Sequence, residues 1–199
     1  KKKKNTKLYT GNGGTQSITG VGFQPDWTWI KNRSSTNNHV VYDAVRGQTK
    51  RLEPNTTDAE DKKTNGLTSF DSDGFSVGSA NENNNNGQNI VSWNWKANGT
   101  GSANTDGYTA TTVSVSTTSG FSIVKWTGTS GNTTIGHGLG VVPQMVIGKN
   151  TGGSGTNWIV YHKDCSSGYY LKLNLSNAQD NGNSYFTANP TNSILSLTG

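Results

Sequence analysis

The chain lacks most of the features that announce an activity. It holds one cysteine, Cys165, in 199 residues, so no disulfide closes within it and the fold does not rely on oxidation. The thiol reads as a filler beside a turn rather than a nucleophile. Apolar residues make up 29%, well below the usual share in globular domains. No apolar run is long enough to cross a membrane, and no stretch reads as a signal peptide. Helical periodicity is nearly absent. None of His39, His137 and His162 pairs with another at metal-ligand spacing, and nothing marks a nucleophile elbow. Charge is scarce apart from the basic start. The net charge is +5, much of it from Lys1 to Lys4 with Lys7 close behind. Without interleaved aromatic and basic residues, that run reads as a terminus rather than a nucleic-acid arm.

What is present is a polar chain rich in Gly, Asn, Thr and Ser that also carries six tryptophans, seven tyrosines and five phenylalanines. Disordered segments are poor in aromatic and β-branched residues, so this composition points to a β-rich protein with thin strands and many polar loops.

The same unit occurs twice. Tyr9-Thr10-Gly11 followed by Ile18 matches Trp126-Thr127-Gly128 followed by Ile135. Pro25 matches Pro143, Lys31-Asn32 matches Lys149-Asn150, and Val40-Val41-Tyr42 matches Ile159-Val160-Tyr161. The run Leu52 to Ala59 matches Leu171 to Ala178. A repeat of this length means one fold used twice, with short insertions between fixed elements. The expected division is a first β module over 1–97, a Gly/Ser/Asn linker over 98–106 and a second β module over 107–199. The second copy is expected to stop near the equivalent of Phe70, which leaves an open strand edge for a neighbouring segment to cover.

Short strands separated by turn residues fill both copies. Lys7–Thr10 and Gln16–Thr19 read as a hairpin joined by Gly11 to Gly14. Trp27–Lys31 alternates, with Trp27 and Trp29 on one face and Thr28 and Ile30 on the other. Phe75–Val77 follows the turn Asp71-Ser72-Asp73-Gly74. Ile90–Lys96 is the strongest strand of the first copy, and because Trp93 and Trp95 share a face it is expected to lie centrally over a buried layer. Asn55–Asp61 has room for one helical turn capped by Asn55, and Asn83–Gln88 reads as a polar loop. Thr109–Ser116, Phe121–Trp126, Met145–Gly148, Asn157–Tyr161 and Tyr169–Leu175 continue the series. Strands at this spacing indicate a sandwich or barrel.

Several runs resemble a family of tailed-phage virion proteins of marine and cyanophage type. They are Tyr9-Thr10-Gly11-Asn12-Gly13, Gly22-Phe23-Gln24-Pro25-Asp26-Trp27-Thr28-Trp29-Ile30-Lys31-Asn32-Arg33, Asp43-Ala44-Val45-Arg46-Gly47, Leu67 to Phe75 and Trp93-Asn94-Trp95-Lys96-Ala97. Gly136 to Gly140 and Trp158 to His162 carry the resemblance in the second copy. It implies an all-β chain of two tandem, related β-sandwich modules (jelly-roll or LamG-like), the second incomplete. It also implies a structural role in a virion tail fibre or surface appendage, with other virion proteins and copies of itself, a trimer among them, as partners. No catalytic set comes with it.

The residues allow one binding chemistry. Sugar rings stack on exposed indoles while Asn-rich loops bond their hydroxyls. The glycan-binding candidates on this reading are Trp27, Trp29, Trp158, Tyr169, Asn83 and Asn85, set against core packing as the plainer role for most tryptophans. Asp71 and Asp73 resemble the start of a calcium loop, but its later ligands are missing, so a hairpin turn is the preferred reading and no cofactor is expected. Asp58, Glu60 and Asp61 read as a solvated cluster rather than the paired acids of a glycosidase. Asp43 and Arg46 read as a turn lock. The sequence therefore points to a non-enzymatic attachment module binding host-surface glycans. The alternatives are a capsid decoration or fibre-shaft protein, a bacterial lectin domain and, last, a polysaccharide-degrading enzyme.

Overall fold

The computed structural model describes residues 4–181 and 185–198, so Lys1 to Lys3 and Gly199 lie outside the described residues. The chain is all-β, as expected, with antiparallel ladders throughout its sheets. Its first half comprises β1 (Lys4–Thr10), β2 (Gln16–Ile18), β3 (Trp27–Asn32), β4 (Val40–Asp43), β5 (Lys50–Arg51), β6 (Asp61–Lys62), β7 (Leu67–Asp71), β8 (Gly74–Val77), the single-turn helix α1 (Asn81–Asn84) and β9 (Asn89–Trp95). A four-stranded sheet of order β1-β9-β3-β4 faces a three-stranded sheet of order β2-β8-β7.

Alternation along β3 explains why the two sheets pack. Thr28, Ile30 and Asn32 are buried, while Trp27, Trp29 and Lys31 are half-buried on the outer face. Ile30, Val40, Tyr42 and Ile90 from the larger sheet meet Ile18, Leu67, Phe75 and Val77 from the region of the smaller one. The Tyr9 and Phe75 rings pack edge to face at 6.3 Å.

Three local expectations change. β1 and β2 do not form a hairpin: β1 pairs with β9 and β2 pairs with β8. The glycine turn instead bonds across to the α1 region, through Gly13 N–H to the Asn84 carbonyl and Gly11 N–H to the Gln88 carbonyl. Asn55–Asp61 carries no helical turn, whereas Asn81–Asn84, partly inside the segment read as a loop, does. That turn is held by tertiary bonds rather than helix propensity. Asn84 Nδ2 donates to Asn12 Oδ1 at 2.8 Å and to the Gly78 carbonyl at 3.0 Å, and Asn84 Oδ1 accepts the Asn12 N–H at 2.9 Å.

Charge locks the loops at one side of the first half. Asp43 accepts the N–H groups of Val45 and Arg46 and pairs with Arg46 Nε at 2.5 Å, the turn lock expected of this pair. Arg46 also reaches Glu60, while Arg51 binds Glu53, Asp61 and Glu82. Glu60 and Asp61 are thus ion-paired rather than simply solvated.

The second half comprises β10 (Ser102–Asn104), β11 (Thr111–Ser116), β12 (Phe121–Lys125), β13 (Thr133–Gly136), β14 (Met145–Gly148), β15 (Ile159–His162), β16 (Leu171–Lys172), β17 (Phe186–Ala188) and β18 (Ile194–Leu197). Its sheets have orders β10-β11-β12, β14-β15-β16 and β13-β18-β17. Residues 102–104, inside the segment read as a linker, pair with β11. The strand expected over Tyr169–Leu175 shortens to two residues, because Tyr170 bridges to Asp180 and Leu173 N–H turns to the Trp158 carbonyl.

Pairing registers in the two halves coincide. Trp27↔Asp43, Thr28↔Tyr42, Trp29↔Val41 and Ile30↔Val40 correspond to Met145↔His162, Val146↔Tyr161, Ile147↔Val160 and Gly148↔Ile159. The Val41↔Leu52 bridge corresponds to Val160↔Leu171. Ile18↔Phe75 corresponds to Ile135↔Leu195. Even the register shift between Leu67 and Ser69 recurs between Phe186 and Ala188. Gly20 and Gly22, both at positive φ, correspond to Gly138 and Gly140, also at positive φ, a backbone state that side chains with a Cβ rarely adopt. By these registers Leu197 stands where Val77 stands in the first half, further along than the equivalent of Phe70.

The halves bond to each other directly. Lys149 Nζ donates to the carbonyls of Thr156 and Thr57, Gly155 N–H to Thr57 and Glu60 N–H to Thr151. Buried Asp26 accepts the N–H groups of Ala97 and Gly99, which fixes the exit from β9.

Phe75 is fully buried at the centre of the first-half core. Phe75→Ala should therefore cost about 3–5 kcal/mol, read as a lower midpoint in urea unfolding followed by near-UV circular dichroism.

Candidate functional site

The most distinctive surface is the outer face of the four-stranded sheet. The sequence Trp27-Thr28-Trp29 in β3 and Trp93-Asn94-Trp95 in β9 places indoles at alternate positions, so all four project to one side. The register then sets Trp27 opposite Trp95 and Trp29 opposite Trp93. All four are half-buried. Two cross-strand indole pairs therefore lie side by side. The inward residues of β9 are Ile90, Ser92 and Asn94, each 0% exposed, so β9 lies centrally over a buried layer as expected, with Trp93 and Trp95 on its outer face. A buried polar bond, Thr28 Oγ1–H to Asn94 Oδ1 at 3.2 Å, ties the two strands beneath them.

Each indole pair has its own support. Trp29 Nε1–H donates to His39 Nδ1 at 2.9 Å, and the rings meet edge to face at 5.9 Å. Phe121 of β12 stacks on Trp95 at 6.1 Å and meets Trp27 edge to face at 6.2 Å. The second half thus partly covers the Trp27–Trp95 pair and leaves Trp29–Trp93 without that cover. A groove of about 340 Å³ runs beside Trp93 and Trp95 along β1, lined also by Lys4, Asn5, Thr6 and Asn94. A second, of about 210 Å³, continues along the same seam past Leu8, Thr10, Arg33 and Asn89. Flat aromatic faces flanked by amide, hydroxyl and ammonium donors can stack a ring and bond its hydroxyls.

The other sequence candidates fall elsewhere. Trp158 is 2% exposed, and its Nε1–H donates to the Glu53 carbonyl at 3.1 Å. It is an interlock between the halves and has no face to offer. Asn83 is buried, with its carbonyl accepting the Tyr9 hydroxyl at 2.7 Å, so it too cannot meet a ligand. Asn85 follows α1, which sits at the Asn32 end of β3 through Asn32 Nδ2–H to the Asn81 carbonyl. Tyr169 is half-buried in the turn that leads into β16. Of the six glycan-binding candidates, Trp27 and Trp29 lie on the aromatic face. The members that sequence reasoning missed, Trp93 and Trp95, carried the same alternate spacing; what was absent was the register that pairs them.

Asp71 and Asp73 work as turn locks. Asp71 accepts the hydroxyls of Ser69 and Ser76, both at 2.8 Å. Asp73 accepts Gly20 N–H at 2.9 Å and Gly22 N–H at 2.6 Å, and these bonds hold its carboxyl below the usual range. Among the described residues no group of three or more His, Cys, Asp or Glu is placed to hold a metal ion.

The chain belongs to the family described as domain of unknown function DUF7483. The family's profile matches residues 2–199. No curated protein and no solved structure matches the chain. Within this DUF7483 chain the family match spans both halves.

Two histidines give the fold a pH dependence of known sign. Burial, and secondarily the Lys31 charge, hold His39 below the ordinary value of 6.5, so it stays neutral and keeps accepting the Trp29 indole. His137 is 2% exposed and also held low by burial. Its Nδ1 accepts Leu139 N–H, and its Nε2 faces the Thr191 carbonyl as donor. With folded values below unfolded ones, the unfolded chain binds the proton more readily. Stability is therefore complete above about pH 6.5 and falls as the pH drops below it. The melting temperature between pH 7 and pH 5 should decline, and the double variant His39→Gln, His137→Gln should flatten that decline.

Proposed function

We propose that this chain is a non-enzymatic binding module of a virion tail fibre or surface appendage. It holds host-surface glycans against the aromatic face of its four-stranded sheet. The observation that carries this reading is the pair of cross-strand indole couples, Trp27–Trp95 and Trp29–Trp93, half-buried beside a groove rimmed by Lys4, Asn5 and Thr6. A sheet is a rigid support, so the indoles keep their spacing without an entropic cost on binding. An oligomer, as the sequence resemblance implies, presents this face once per copy and raises avidity where each contact is weak.

A glycan array probed with the 199-residue chain tests this, followed by titration of any retained glycan by tryptophan fluorescence. Trp29→Ala and Trp93→Ala should each weaken binding about tenfold. Tyr108→Ser, which alters a side chain 89% exposed beside β13, should leave it unchanged. An array with no retained glycan, or wild-type affinity in both tryptophan variants, would sink the glycan reading.

A further inference from the structure

Charge is distributed unevenly over the four-stranded sheet. Among the residues of β1, β9, β3 and β4 the one carboxylate is Asp43. It is 2% exposed and engaged by Arg46 and by two backbone N–H groups. Asp26, just before β3, is 1% exposed and accepts the N–H groups of Ala97 and Gly99. These strands therefore offer a ligand on their outer face no free acidic side chain.

The basic residues are placed differently. Lys31 continues the outward row of Trp27 and Trp29. Arg33, one residue past β3, stays in line because its N–H donates to the Asn89 carbonyl at 2.8 Å. Arg33 is exposed and lines the second groove with Leu8, Thr10 and Asn89. Lys31 Nζ donates to the carbonyls of Ser35 at 3.1 Å and Asn37 at 2.5 Å. Those partners satisfy its hydrogen bonds but bring no negative charge. Its field reaches the indoles' surroundings: after burial, Lys31 is the second cause that holds His39, the acceptor of Trp29, below its ordinary value. Among the described residues no ion pair includes Lys31 or Arg33. A surface lined by charge of one sign concentrates ligands of the other.

Spacing adds a second constraint. Lys31 lies about 7 Å and Arg33 about 13 Å beyond Trp29 along the strand direction. A sugar ring stacked on Trp29 and Trp93 thus leaves the next ring of its chain over Lys31 and Arg33. We propose that the glycan held by this face is an anionic oligosaccharide, stacked on Trp29 and Trp93 and bonded through a carboxylate or sulfate to Arg33. The inference rests on the glycan-binding reading above and names its substrate class. The guanidinium fork meets either oxyanion with two N–H groups at once, and Thr10 and Asn89 stand beside it for ring hydroxyls.

Titrations of the 199-residue chain by tryptophan fluorescence test this with two matched pairs of probes. One is oligogalacturonate against its fully methyl-esterified form, and the other a sulfated galactan oligomer against its desulfated form. In at least one pair the anionic member should bind about tenfold or more tightly than the neutral one. That preference should shrink as salt rises to about 1 M, where the screening length is about 3 Å. Arg33→Gln should remove most of it. Lys62→Gln, which removes the same charge from exposed β6 outside this sheet, should leave it intact. A preference in one pair alone identifies the oxyanion as carboxylate or sulfate. Equal binding of anionic and neutral members, lost in Trp29→Ala, would overturn the proposal and leave the glycan reading standing. A preference undiminished in Arg33→Gln would overturn it as well. Binding of none of the four probes overturns it too, and an empty glycan array then removes the reading beneath it.

Discussion

One strand holds the first half together. β9 is the last element of that half, yet it is inserted between β1, the first, and β3. Its register runs from Lys4↔Trp95 to Thr10↔Asn89 on one side and from Trp27↔Trp95 to Asn32↔Ile90 on the other. Without it the four-stranded sheet becomes a lone β1 and a β3–β4 ribbon, and a two-stranded ribbon is marginal in water. Backbone groups of β1 and β3 would then need other partners at a buried site. β9 also supplies Ile90 to the core and Trp93 and Trp95 to the outer face. The core, the closure of the sheet and the candidate site thus rest on one long-range pairing, whose loop entropy must be met before its contacts form.

That dependence gives the second half its meaning. Its strand registers repeat those of the first, down to a shared register shift and a shared pair of left-handed glycines. Its apolar positions nevertheless differ in exposure where β9 would lie. Val141 and Phe23 hold matching places in the chain and differ tenfold in exposure. Sequence alone does not account for that contrast, since both residues are apolar and both follow a glycine.

Parts of the fold were legible because they depend on local alternation. β3 reads inward and outward from Trp27-Thr28-Trp29-Ile30, and β8 follows its Asp-Gly turn. The expectations that changed depended on partners far along the chain. β1 and β2 carry a glycine turn that suits a hairpin, but each has a better partner, β9 and β8. Asn55–Asp61 could have held a turn of helix, yet its segment is drawn to the second half through Thr57 and Glu60. Tyr169–Leu175 alternates over seven residues, but Asp180 and Trp158 take its backbone groups. Trp158 stood among the glycan-binding candidates in sequence, and its N–H proved to be one of the bonds between the halves.

The sequence by itself determined that this chain is all-β, that it repeats, and that its indoles fall at alternate positions. Composition and period are properties of the chain and need no partner to be read. Tertiary structure alone decided which indoles share a face, which asparagines are sealed in the core, and which strands pair. Those depend on register, and register is fixed by pairing of residues as far apart as Lys4 and Trp95, which no local pattern contains.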